Sequence, residues 1–181
     1  FNLILTGSER LKNNLLNVIS AHNIQVSGDS RLDRVLERKA ENSNSLLPIT
    51  YNESQTLILG SIIPSDYSYI FDGIEKNYPN GQQSLEQKDH RIIIVPHEID
   101  NSHLLLIKRK LKKFRFDWAY YSEKEKLQNS RVVIIDTVGI LADLYAFSDV
   151  AYVGAGFGAG VHSVIEPVVY ENAVSFGPNY H

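Results

Sequence analysis

The chain has 181 residues, 43% of them hydrophobic, which is enough for one substantial core or two small ones and excludes a disordered protein. Eighteen Lys and Arg against 21 Asp and Glu give a formal net charge of −3, so no global field points to a nucleic-acid partner. The absence of cysteine removes disulfides, thiolate zinc sites and cysteine nucleophiles and is compatible with a reducing cytoplasm; a metal would need His and carboxylates.

Short apolar runs rich in β-branched residues recur along the chain with helical segments between them. In order they are NLILTG, NIQVSG, TLILGSI, RIIIVPH, FDWAYYS, RVVIIDT, DVAYVGAG and AVSFGP. Such runs predict buried strands of a parallel sheet. Leu11, Leu15, Leu16 and Ile19 predict a helix over 9–19, and Leu104, Ile107, Leu111 and Phe114 predict one over 102–114. The alternation implies an α/β architecture with right-handed crossovers. The polar stretches 41–45 and 77–90 read as loops. The weakest cut point lies near 41–54, but too few strands precede it to make a sheet alone, so 1–181 reads as a single domain. No apolar run approaches the roughly 20 residues of a membrane span, and the opening residues lack the features of a signal peptide, so the chain reads as soluble. With no methionine and an end directly after a strand, it reads as a fragment of a longer protein.

In open α/β sheets ligands bind at the carboxyl ends of strands, which singles out the residues after each run. GAGFGAGVHSVIEP, residues 154–167, follows the strand DVAYV, and the segment 161–170 after its glycines reads as a helix. A glycine turn leading into a helix presents free backbone N–H groups and partial positive charge, which suits a phosphate at Gly158 and Gly160. Ser163 and Glu166 are three apart and share a face of the first turn, with His162 four before Glu166; the carboxylate there can accept hydrogen bonds from a ribose diol. The same glycines also serve as a plain tight turn, with Glu166 meeting the helix dipole.

Other strand ends add candidates. Asp136-Thr137-Val138-Gly139 precedes the helical ILADLYAF, so Asp136 or Thr137 can cap that helix while its N–H groups face the cleft. Pro96 stops a strand ladder, and the His97 imidazole beyond it can bond a phosphate or base. Ser61 offers a hydroxyl, and Asp29 reads as a helix cap. The basic run KRKLKKFR, 108–115, keeps core spacing and reads as a solvated helix face, with attraction to anionic lipid as the second reading. No Ser-His-Asp order, Walker loop or HExxH occurs, which favours binding a phosphorylated nucleotide over hydrolysis.

Taken together, VSGDSRLDRV (26–35), GSI (60–62), PHE (96–98), DTVGILADLY (136–145), AYVGAGFGAGVHSVIEP (151–167) and FGPNY (176–180) resemble the C-terminal half of 3-deoxy-D-manno-octulosonic acid (Kdo) transferases of lipopolysaccharide biosynthesis. The resemblance spans nearly the whole chain in order. It implies a Rossmann-like parallel sheet flanked by helices, the C-terminal half of a GT-B glycosyltransferase, with Ser61, Pro96, His97, Thr137, Val138, Gly139, Gly158, Gly160, His162, Ser163 and Glu166 at the CMP-activated donor. The family's HNxxE signature reads here as His162, Ser163 and Glu166. Serine stands where asparagine is usual, which leaves open any contact that needs the amide. Its proline-arginine-histidine motif reads as Pro96-His97-Glu98, so an arginine contact is not carried over.

By the same resemblance, the catalytic base and the lipid A acceptor surface belong to an N-terminal domain outside this sequence, so no catalytic residue is assigned here and this piece alone is expected to be inactive. The donor CMP-Kdo is the expected ligand, with no further cofactor, no metal and no nucleic acid. The full-length protein is expected at the cytoplasmic face of the bacterial inner membrane, peripherally bound. Two rivals remain open: a GT-B nucleotide-sugar epimerase preferring UDP ligands, and a non-catalytic Rossmann-like binding module.

Overall fold

A computed structural model describes residues 2–20, 23–41 and 45–180. Beside the expectation of one domain, the chain divides into two compact units, Phe1–Glu41 and Asn42–His181. Residues 42–44 of the expected first loop lie outside the described residues.

The smaller unit runs β1 (Ile4–Thr6), α1 (Glu9–Leu16), β2 (Ile24–Val26) and α2 (Ser30–Glu41). The two strands pair in parallel, Ile4 beside Ile24, in a two-stranded sheet of their own. The Ser8 hydroxyl caps α1 by accepting from the Leu11 N–H at 3.3 Å. That helix stops at Leu16, short of the expected Ile19, in a tightened last turn where the Val18 N–H bonds the Leu15 carbonyl three residues back and shares it with the Ile19 N–H. Asp29 opens α2 as expected, accepting from the Arg31 N–H at 3.0 Å. Its side-chain bonds to Arg31 hold the carboxyl down at about 2.

The larger unit runs α3 (Thr50–Glu53), β3 (Gln55–Ile62), α4 (Pro64–Asn77), α5 (Gln82–Lys88), β4 (His90–Pro96), α6 (Asn101–Lys113), β5 (Ala119–Tyr120), α7 (Lys124–Leu127), β6 (Val132–Ile134), α8 (Leu141–Leu144), β7 (Val150–Val153), α9 (Ile165–Val169) and β8 (Ala173–Phe176). A short 3-10 turn, Tyr145–Phe147, extends α8. The strands form one six-stranded parallel sheet in the order β5-β6-β4-β3-β7-β8, as the β-branched runs predict. The runs are continuously apolar because the sheet is covered on both faces. Leu59, Ile92, Ile94, Val132 and Ile134 pack on one side against Ile70, Phe71 and Ile74 of α4 and Ile107 and Leu111 of α6. Ile58, Ile93, Val133 and Ile135 pack on the other against Tyr51, Leu127, Leu144 and Tyr145.

The expected loop over 77–90 instead carries α5. Gly81 takes φ 58°, and the Leu85 side chain is wholly buried, so one anchoring residue sets an otherwise polar helix against the core. The topology also fixes where a ligand can sit. The chain leaves β3 for α4 on the first face, whereas Tyr170, at the end of α9 after β7, packs on the second. Since β3 and β7 are neighbours, the crevice between their carboxyl ends is the switch point of the sheet.

Candidate functional site

β3 ends in a register shift between Gly60 and Ile62, and Ser61 sits there at φ 56°. For a residue with a side chain this left-handed conformation costs about 1 kcal/mol, and such positions cluster at functional sites. The turn aims the Ser61 hydroxyl across the strand ends to the Nδ1 of His97, 2.8 Å away. Pro96 is buried at the end of β4, and the His97 N–H donates to the Ile62 carbonyl at 3.0 Å, so the proline sets the imidazole in place without reaching the crevice itself. The His97 ring stacks on that of His162, centroids 4.6 Å apart and 17° from parallel. The enclosed Nε2 of His162 has no hydrogen-bond partner among the described residues. Burial, then the neighbouring His97, holds the His162 imidazole below the ordinary histidine value.

A cleft of about 280 Å³ opens at this switch point, lined by Ser61, Gly139, Tyr145, His162, Ser163 and Glu166, with Leu141, Ala142 and Val153 as its apolar floor. Five of the candidates chosen from the sequence thus meet in one concavity, and His97 touches two of them. Inside it, the Ser163 hydroxyl donates to Glu166 Oε2 at 2.5 Å and accepts from the Ile165 N–H at 3.3 Å. Serine therefore acts as an orienter of the carboxylate.

Pro96, Thr137, Val138, Gly158 and Gly160 do not line the cleft. Thr137 and Val138 are exposed on the loop that carries Gly139. The expected cap of α8 is absent: no side chain caps that helix, and Asp136 instead accepts from the Ser122 N–H at 3.0 Å and hydroxyl at 2.5 Å.

The glycine stretch differs from the expected strand-turn-helix. Residues 161–164 are not helical, and α9 starts only at Ile165. The loop before α9 uses its own N–H groups. Gly158 and Gly160 donate to the Ala155 carbonyl at 2.9 and 3.2 Å, Val161 to Asn179 at 2.8 Å, and His162 to Gly154 at 3.2 Å. These groups are therefore not the free phosphate cradle that the spacing suggested. The glycines are needed for contact instead: a β-carbon on Gly154 would strike the Ser61 carbonyl, and one on Gly156 would meet Gly177.

Two residues of the site are absent from the sequence-level candidates. Asp66, wholly buried in the first turn of α4, accepts from the N–H groups of Ile63 at 3.0 Å and Ala155 at 2.8 Å and from the Tyr152 hydroxyl at 3.1 Å. It ties the glycine loop to the start of α4, and Ala155 is held at φ 70°. The Pro-Ser-Asp opening of α4 was a readable signal for an acid at a helix start, though not for its reach across to β7. Tyr145 is 2% exposed yet lines the cleft, its hydroxyl against Gly60. Burial and then the charge of Glu166 push its ionisation well above the ordinary tyrosine value, so it stays a protonated phenol.

No protein-family model matches the chain. It is 29% identical over 164 residues to a 3-deoxy-D-manno-octulosonic acid transferase of Chlamydia muridarum, an alignment that covers 87% of this chain and 35% of that protein. It is 29% identical over 133 residues to a protein of the same name from Aquifex aeolicus, covering 71% and 33%. The chain thus spans about a third of the length of these relatives. In three dimensions it is similar to the crystal structure of the C-terminal CMP-Kdo binding domain of WaaA from Acinetobacter baumannii, with a TM-score of 0.59 at 18% identity over 82% of this chain and 72% of that one. The fold expected from the sequence is therefore the fold observed. Over most of its length the chain is similar to 3-deoxy-D-manno-octulosonic acid transferases, the family its motifs resemble, and it shares the fold of a C-terminal domain from one of them.

Proposed function

We propose that the larger unit is the donor-binding part of a Kdo transferase, a glycosyltransferase that moves Kdo from CMP-Kdo to a lipid A precursor. The observation that carries this reading is the meeting of Ser61, His162, Ser163 and Glu166, with His97 behind them, in one cleft at the switch point of the sheet. In this reading Glu166, oriented by Ser163, accepts from the ribose hydroxyls of CMP. The Ser61 hydroxyl and the stacked imidazoles face the phosphate, and the Tyr145 phenol donates a further hydrogen bond. As the glycosidic bond to phosphate breaks, these donors stabilise the charge that collects on the departing CMP.

The acceptor and the base that activates it belong, in this proposal, to the part of the relatives that the chain does not span. No metal or cofactor is required by it. The site of action is the cytoplasmic face of the inner membrane, where a lipid acceptor is available; no helix among the described residues is long and apolar enough to cross a membrane. Neither the epimerase nor the non-catalytic alternative is favoured by the relatives.

The test is calorimetric titration of the chain with CMP, UMP and inorganic phosphate. Saturable binding of CMP, tighter than UMP and weakened in Glu166→Ala, is the expected result. Equal affinity for UMP would overturn the donor assignment.

A further inference from the structure

Helix α6 carries a surface that the donor cleft does not use. Its inner side is spent on the core, with Ile107 and Leu111 wholly buried. The outward positions are Ser102, Leu105, Leu106, Arg109, Lys112 and Lys113, the i, i+3, i+4, i+7 set of a single helical stripe. Leu105 and Leu106 are 43% and 41% exposed. Behind them, Lys108, Arg109, Lys110, Lys112, Lys113 and Arg115 gather six of the chain's eighteen cations, and no Asp or Glu occurs from 101 to 116. Among the described residues none of the cations of α6 makes an ion pair.

A solvated helix face ordinarily mixes both signs, with acids three or four residues from bases. This stripe does the opposite: it concentrates one sign in a chain that is net negative and sets two partly exposed leucines beside it. Exposed leucines gain nothing from a nucleic-acid backbone, whereas they can enter the acyl boundary of a bilayer while long basic side chains reach the headgroups. Lys and Arg on an amphipathic helix attract an anionic leaflet by about 1 kcal/mol each near its surface; α6 carries five, three of them on the exposed stripe. We infer that the outer face of α6 is a docking surface for an anionic phospholipid bilayer. Leu105 and Leu106 are its apolar insertion, and Arg109, Lys112 and Lys113 are its headgroup contacts. The inference rests on α6 alone and is independent of the donor cleft.

The experiment is cosedimentation of the chain, without nucleotide, with vesicles of phosphatidylglycerol mixed into phosphatidylcholine and with phosphatidylcholine alone. Binding to the mixed vesicles, weakened by added salt and absent on the neutral ones, is expected. Arg109→Glu with Lys112→Glu and Lys113→Glu should lower the partition coefficient by about tenfold or more. Leu105→Ser with Leu106→Ser should weaken binding and leave a remainder that salt abolishes. Circular dichroism checks that both variants keep their fold. Equal binding to neutral and anionic vesicles, or a charge-reversed variant that binds as wild type does, would overturn the inference. So would tighter capture by a DNA oligonucleotide than by vesicles, which would assign the cations to nucleic acid.

Discussion

The Ser163 hydroxyl holds Glu166 by a 2.5 Å hydrogen bond to Oε2, with the Ile165 N–H fixing the serine from the other side at 3.3 Å. The carboxylate is thereby pre-oriented on the cleft wall, and Oε1 keeps its capacity for a ribose hydroxyl. Glu166→Ala should weaken CMP binding by about 1–3 kcal/mol, the worth of a hydrogen bond to a charged group. Ser163→Ala removes only the orienter and should cost less, about 0.5–1.5 kcal/mol. Calorimetry with CMP checks both, and an unchanged dissociation constant for Glu166→Ala in a folded protein would remove the ribose role.

Asp66 is a structural tie with a functional consequence. It is fully buried and takes bonds from the N–H groups of Ile63, Ala155 and, at 3.4 Å, Phe157 and from the Tyr152 hydroxyl, so Asp66→Ala strands three N–H groups and a phenol. The expected loss of stability is about 2–4 kcal/mol, read as a lower urea midpoint with an unchanged slope. Because the loop leading to His162 loses its anchor, CMP affinity should fall as well, although Asp66 does not line the cleft. A variant with wild-type midpoint would show that the network contributes nothing net.

Gly154 and Gly139 should respond differently to the same change. A β-carbon on Gly154 would collide with the Ser61 carbonyl, which is backbone and cannot rotate away, so Gly154→Ala should separate the ends of β3 and β7 at a cost of about 1–3 kcal/mol. Gly139 has φ 85° and nothing within reach of an added β-carbon, so Gly139→Ala meets only conformational strain, about 1 kcal/mol. Thermal or urea unfolding of the pair distinguishes them. Equal losses would mean that the crowding at Gly154 relaxes freely.

Much of this fold was legible because a parallel sheet covered on both faces writes itself as continuous apolar runs. RIIIVPH and RVVIIDT are examples, with Ile92, Ile93, Ile94, Val132, Val133 and Ile134 all buried. The convergence of Ser61, His97, Gly139, His162 and Glu166 was legible for a related reason: each follows such a run, and parallel strands bring their carboxyl ends to one edge. What stayed hidden depends on long-range bonds. Residues 161–164 instead follow the glycine loop, with His162 and Val161 donating to Gly154 and Asn179, partners that local spacing does not specify. Asp66 reaches Ala155 across 89 positions, and Tyr145 enters the cleft only because β3 and α8 are brought together by the sheet. Polarity hid α5, whose single apolar residue, Leu85, is buried together with Ser84.

His162 makes the site sensitive to pH in a direction that can be worked out. Its imidazole is held below the ordinary histidine value, first by burial and then by His97, so the folded protein resists a proton that the unfolded chain accepts near 6.5. As pH falls from neutral through 6.5, the unfolded state binds more protons than the folded one, and stability must fall over that window until His162 itself is protonated. The urea midpoint of the chain should therefore drop across it, and His162→Gln should show a shallower drop, since the glutamine cannot titrate. Carbon-detected NMR of the His162 ring gives the direct check: its midpoint should lie below 6.5, whereas a midpoint at or above that value would mean that the enclosed Nε2 gains a compensating partner in solution.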